Sequence, residues 1–184
     1  MDFEERNFDA AYQGFMSALS FRLLNWSMHE EANYALGVIN YERLDRPCPD
    51  YVNACARFED VTYGNFTPPL AIKAHFFIAT MYYLGQTNFP INYQKARTGF
   101  THVLGAPSSL ISSSLKEKAR TWLAKMDYKG EGIDAPNYAA AYEGFTEAIN
   151  SPATPENVKA EARTWLEAIE EQGLITKTSV NTDR

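Results

Sequence analysis

The chain is 184 residues long, 45% hydrophobic and 14% aromatic, enough apolar side chain for one continuous core and too much for a disordered segment. Its formal charge of -6 at pH 7 argues against binding through nucleic-acid phosphates, which needs a basic face. No apolar run approaches the roughly 20 residues of a membrane span, and the first six residues are acidic where a secretory leader is basic, so a cytoplasmic protein with no membrane span is expected.

Helical periodicity begins near the first residue and continues through the chain. FDAAYQGF, starting at Phe8, places apolar side chains on one stripe and predicts a helix over about 7–20. ANYALGVI, starting at Ala32, predicts a second over about 28–41, with Ser27 and Glu30 spaced as a capping box. YVNACARF from Tyr51 gives a helix over about 50–61. AHFFIATM from Ala74 gives one over about 69–85, opened by Thr67-Pro68 and closed at Gly85. YQKARTGF from Tyr93 predicts about 92–104, and ARTWLAKM from Ala119 predicts about 115–128, between a Ser114/Glu117 capping box and Gly130. YAAAYEGF from Tyr138 predicts about 137–149. ARTWLEAI from Ala162 predicts about 156–172, between Thr154-Pro155 and Gly173.

These eight segments are two motifs repeated four times. The first, aromatic-x-x-Ala-x-x-x-Phe, recurs at spacings of 43, 42 and 45 residues; the second, Ala-x-x-apolar-apolar-small-x-apolar, recurs at 42, 45 and 43. We call them the Tyr helix and the Trp helix. The small position is Gly37, Ala79, Ala124 and then Glu167. Small residues let helices approach closely, so a large residue at Ala119 or Ala124 should overpack the array. Helix pairs of this kind bury their apolar faces only by stacking, which predicts an all-α domain over 1–173 followed by a polar tail, 174–184.

The segment carrying Ala119, Leu123, Ala124, Gly130, Gly132, Ile133, Tyr138 and Ala141 resembles the Sel-one-like repeat family, relatives of the tetratricopeptide repeats. Leu36-Gly37 and Lys95-Ala96 reproduce further steps of that pattern, while only the third copy carries the full Gly-x-Gly turn. The resemblance implies a right-handed superhelical solenoid of about four helix-pair repeats, acting as an adaptor or scaffold without catalytic residues.

No catalytic constellation is present in the sequence, so no enzyme and no cofactor are expected. Gly130-Glu131-Gly132 lacks the third glycine and the Lys-Ser/Thr of a nucleotide loop and reads as a turn. His29, His75 and His102 fall at unrelated repeat positions, and no Cys or His partners cluster around Cys48 and Cys55, so no metal is expected; reduced thiols are favoured over a bridge.

A binding face is the better expectation. If the Trp helix lines a concave groove, as in the resembled families, the groove positions are one before the anchor alanine and two, six, nine and ten after it. They include Lys73 and Lys118; Tyr34, Phe76 and Thr121; Thr80 and Lys125; Tyr83 and Tyr128; and Lys129. Residues 61–115 carry Lys73, Lys95 and Arg97 as their only formal charges, and nine aromatics lie between Tyr63 and Phe100. Aromatics beside lysines suit a protein or peptide partner with acidic or C-terminal carboxylate character, and no nucleic acid. A secretion chaperone or immunity-type inhibitor that masks one effector is the alternative, since a small acidic helical protein suits that role too.

Overall fold

The computed structural model describes residues 5–20, 25–42, 50–64, 67–86 and 88–175, with backbone alone for residues 5–7. Cys48 and Phe3 fall outside them. The described residues form eight helices: α1 (Glu5–Ser20), α2 (Trp26–Glu42), α3 (Tyr51–Gly64), α4 (Pro68–Leu84), α5 (Tyr93–Gly105), α6 (Ser113–Lys129), α7 (Tyr138–Asn150) and α8 (Glu156–Glu171). There is no strand among the described residues; Gln86 and Phe89 exchange two backbone hydrogen bonds in an isolated pairing. Each helix lies within three residues of the span its motif predicts, and each packs against its chain neighbour within two compact units, residues 1–91 and 92–184.

The caps explain the small shifts. Asn25 caps α2 by accepting from the Met28 amide at 2.8 Å, and Ser112 caps α6 by accepting from the Leu115 amide at 3.3 Å, so both helices begin two residues earlier than the serine boxes predict. Ser27 instead hydrogen-bonds Glu31 at 3.4 Å. Thr154 is not a capping hydroxyl either, because Pro155 occupies the cap position and the Thr154 Oγ1 is buried away from it. Thr67 does precede Pro68 at the start of α4, without a side-chain cap. An Asx residue stands directly before three Tyr helices, where Asp50, Asn92 and Asn137 accept from the Asn53, Lys95 and Ala140 amides.

At the other ends, α6 and α8 close in Schellman motifs. Gly130 (φ 73°) and Gly173 (φ 63°) take the left-handed residue, while Glu131 and Leu174 amides return to the Met126 and Ile169 carbonyls at 2.9 and 3.2 Å. This motif carries Leu174 back onto the core of the second unit, where it packs with Ile175. The start of the expected polar tail is therefore packed, and residues 176–184 lie outside the described part.

The core follows the repeat. Anchor alanines Ala74, Ala119 and Ala162 are fully buried, as are the Tyr-helix residues Ala54, Ala96, Ala141, Phe58, Phe100 and Phe145. In three copies the closing phenylalanine of the Tyr helix lies parallel to the aromatic residue three after the Trp-helix anchor. Phe58 stacks on Phe77 at 5.0 Å between ring centroids, Phe100 on Trp122 at 5.7 Å, and Phe145 on Trp165 at 6.3 Å, all within 6° of parallel. In the first copy Ala35 stands where that ring would be.

The small positions hold the next Tyr helix close. A Cβ on Gly37 would meet the Phe58 ring at 2.7 Å, and a Cβ on Gly144 would meet that of Ala124 at 3.0 Å. Ala119 and Ala124 are both buried, as overpacking requires.

Candidate partner-binding faces

The ten groove residues divide between the two units, and each set is described within its own unit. In the first, consecutive Trp helices α2 and α4 meet directly. Tyr34 lies edge-on to Phe58 at 5.6 Å and to Phe77 at 6.2 Å, and Tyr41 lies edge-on to Phe77 at 5.0 Å. Burial, then the nearby Glu42 carboxylate, pushes the Tyr34 hydroxyl up to about 12; burial, then Tyr51 and Glu42, does the same to Tyr41. Thr80 is buried and donates to the Phe76 carbonyl at 2.9 Å. Phe76 and Tyr83 are half-buried, and Lys73 is exposed.

In the second unit α6 meets α8, and one ring contact, Tyr128 on Trp165, repeats that of Tyr41 on Phe77. Lys125, six after its anchor, is only 7% exposed; its ammonium pairs with Glu161, one before the α8 anchor, and sits 4.2 Å from the centre of the Trp122 ring. The Tyr128 hydroxyl and the Gln172 side-chain amide hydrogen-bond, with Nε2 donating to the hydroxyl at 3.0 Å, while the Tyr128 ring packs on Trp165 at 5.1 Å. Thr121 is buried, donating to the Glu117 carbonyl at 2.9 Å. The Lys129 ammonium is 3.8 Å from Glu131 and 5.8 Å from the Trp165 ring centre. Lys118 is exposed.

Positions two, six and nine were expected to lie opposite the buried stripe. Instead Thr80, Thr121 and Lys125 are buried, and on α6 the Lys125 edge turns toward the next Trp helix, α8, rather than toward water. The same positions on α8 confirm the cause. Thr164 and Glu171 are exposed there, where no described helix follows. Two groove positions stay exposed on α4 and α6, the residue ten after the anchor, Leu84 and Lys129, and the residue before it, Lys73 and Lys118; neither Lys73 nor Lys118 forms an ion pair with a described residue.

The Gly130-Glu131-Gly132 turn is fixed as a structural joint. Arg97 of α5 pairs with Asp127 at 2.9 Å and donates to the Glu131 carbonyl at 3.3 Å, and a Cβ on Gly132 would meet the Tyr93 carbonyl oxygen at 2.9 Å. The Tyr93 hydroxyl is raised above its usual value, first by burial and then by Glu131.

A part-buried relay in the first unit, centred on buried Asn33, has no counterpart in the repeat motifs. Arg57 Nη1 donates to Asn33 Oδ1 at 3.1 Å, and Asn33 Nδ2 lies 3.1 Å from His29 Nδ1. Since arginine only donates, Asn33 must offer its amide hydrogens to His29, which fixes the imidazole as the Nε2–H tautomer. The three polar residues fall at i, i+4 on α2 and across on α3, a signal visible only once the helix pairing is known.

Among the described residues no three His, Cys, Asp or Glu side chains gather as metal ligands, and no helix is long and apolar enough to cross a membrane. The thiol of Cys55 is buried and directed at Glu59 Oε1, 3.6 Å away. No family model matches the chain, and neither the curated proteins nor the solved structures contain a match.

Proposed function

We propose that the chain is a non-catalytic protein-interaction module, an adaptor or scaffold built as a right-handed helical-repeat solenoid similar to the Sel-one-like repeats. The observation that carries this reading is the division of the lysines. Lys125 and Lys129 are engaged by Glu161, Glu131 and the tryptophan faces, whereas Lys73 and Lys118 recur at one repeat position, exposed and without an ion-pair partner among the described residues. Such lysines, Lys73 one turn from half-buried Phe76 on α4 and Lys118 on the same helix as Tyr128, suit a partner protein or peptide with acidic or C-terminal carboxylate groups.

The test is charge reversal. A partner recovered by affinity capture should associate with Lys73→Glu or Lys118→Glu about tenfold more slowly at low salt, with the difference shrinking as salt is raised. Equal association rates at low salt for the reversed and native proteins would reject the lysine faces.

A further inference from the structure

We propose that the face of α1 bearing Phe8, Ala11, Gly14, Phe15 and Ala18 docks an amphipathic helix of another chain, one carrying a small residue followed four positions later by an aromatic. This surface is separate from the lysine faces and does not depend on them.

The reason lies in α7. FDAAYQGFMSAL in α1 and YAAAYEGFTEAI in α7 share Ala10/Ala140, Ala11/Ala141, Tyr12/Tyr142, Gly14/Gly144, Phe15/Phe145 and Ala18/Ala148. In α7 this stripe is filled from both sides, because α7 packs on α6 before it and α8 after it. Ala141, Phe145 and Ala148 are fully buried, and Gly144 accepts Ala124 so closely that a Cβ would sit 3.0 Å from the alanine methyl. Among the described residues α1 packs chiefly on α2, with Arg57 of α3 reaching Met16 Sδ at 3.3 Å, and on no helix before it. Its Ala11, Phe15 and Ala18 are each only partly buried, and a Cβ on Gly14 would meet nothing within 4 Å. Among the described residues the same stripe is therefore closed in α7 and open in α1.

Two internal examples show what closes it. Against α7, α6 offers Ala124 to Gly144 and Tyr128 to Tyr138, whose ring centroids are 5.7 Å apart. Against α3, α2 offers Gly37 to Phe58 and Tyr41 to Tyr51, stacked at 5.5 Å. Both supply a small residue and, one turn on, a tyrosine that meets the first aromatic of the Tyr helix; in α1 that aromatic is Phe8. A second copy of this chain offers no such edge through α8, where Glu167 and Glu171 occupy the two positions and are exposed. Carboxylates set against Gly14 and Phe8 would be desolvated without partners.

The probe is a labelled peptide of residues 112–131, which contains Ala124 and Tyr128, titrated into the full-length protein and followed by fluorescence anisotropy. Gly14→Leu fills the open notch without touching the fold, and it should weaken peptide binding about tenfold or more. A peptide with Ala124→Glu should lose binding to the native protein. Equal affinity for the native and Gly14→Leu proteins would overturn the proposal. Because an isolated peptide of this length is marginally helical, a second measurement places residues 112–137 directly ahead of Phe8, recreating the α6–α7 connection. There Gly14→Leu must lower Tm while not lowering the Tm of the native chain, and a joined protein indifferent to the substitution would overturn the proposal whatever the peptide does. Self-association of the native chain that disappears in Gly14→Leu would assign the face to a second copy and overturn the partner-helix assignment.

Discussion

The α2–α4 and α6–α8 contacts share one ring contact, between the residue nine after the first anchor and the residue three after the second, and differ in the chemistry around it. In the first unit Tyr34 and Tyr41 press their rings onto Phe77. In the second, Tyr128 repeats the ring contact on Trp165 and adds a hydrogen bond with Gln172, and Lys125 and Glu161 form an ion pair where the first unit has Val38 and Lys73. Repeat spacing decides which positions meet, and the residues placed there decide whether the contact responds to salt, to alkali or only to loss of volume. That also separates packing lysines from available ones, since a cation at the meeting edge is consumed by the next helix.

The largest effects should fall where the two units agree. Phe58→Ala and Phe145→Ala each remove a fully buried ring that stacks on its repeat partner, and each should cost about 3–5 kcal/mol of its unit's stability in urea unfolding. A cost under about 1 kcal/mol at either would break the equivalence. Ala124→Leu, forced against Gly144, should cost about 1–3 kcal/mol, read from the same curves.

Smaller effects should separate the units. Glu161→Gln leaves Lys125 over Trp122 but removes its carboxylate, and with Glu161 about half exposed the loss should be about 1 kcal/mol or less and should fade in high salt. A salt-independent loss would mean that the charge is not what Glu161 contributes. Near neutral pH the tyrosines of the first unit should show no effect at all. Tyr34 and Tyr41 are held protonated up to about 12 in the fold against 10 when unfolded, so the native state keeps protons that the unfolded chain has released. Their contribution is complete below pH 10 and declines as pH rises through 10 to 12. Tyr34→Phe with Tyr41→Phe should flatten that decline in a Tm-against-pH profile, and an unchanged profile would show that these hydroxyls do not set it.

Much of the architecture was legible because periodicity reports burial directly. The stripes Ala54/Phe58, Ala96/Phe100 and Ala141/Phe145 were readable as core, and they are fully buried. Helix starts were less legible, since a serine box is a local pattern and the caps Asn25 and Ser112 won by standing two residues earlier. The groove was the least legible. A single helical wheel places Thr121 and Lys125 away from the anchor stripe, and only the arrival of α8 turns that edge inward. The change to Glu167 and Glu171 in the last copy was the available signal, because those positions become charged where no described helix follows. The His29, Asn33 and Arg57 relay depends on two helices at once and leaves no mark in either motif.

The register claim, that α1 carries the stripe of α7 without its neighbour, is tested most directly by one pair of melting curves. Gly144→Leu, with Ala124 at contact distance, should lower Tm by roughly 4 °C or more, and Gly14→Leu, with nothing within 4 Å, should leave Tm unchanged or raise it slightly through better helix propensity. Equal losses at the two glycines, or a larger loss at Gly14, would contradict it.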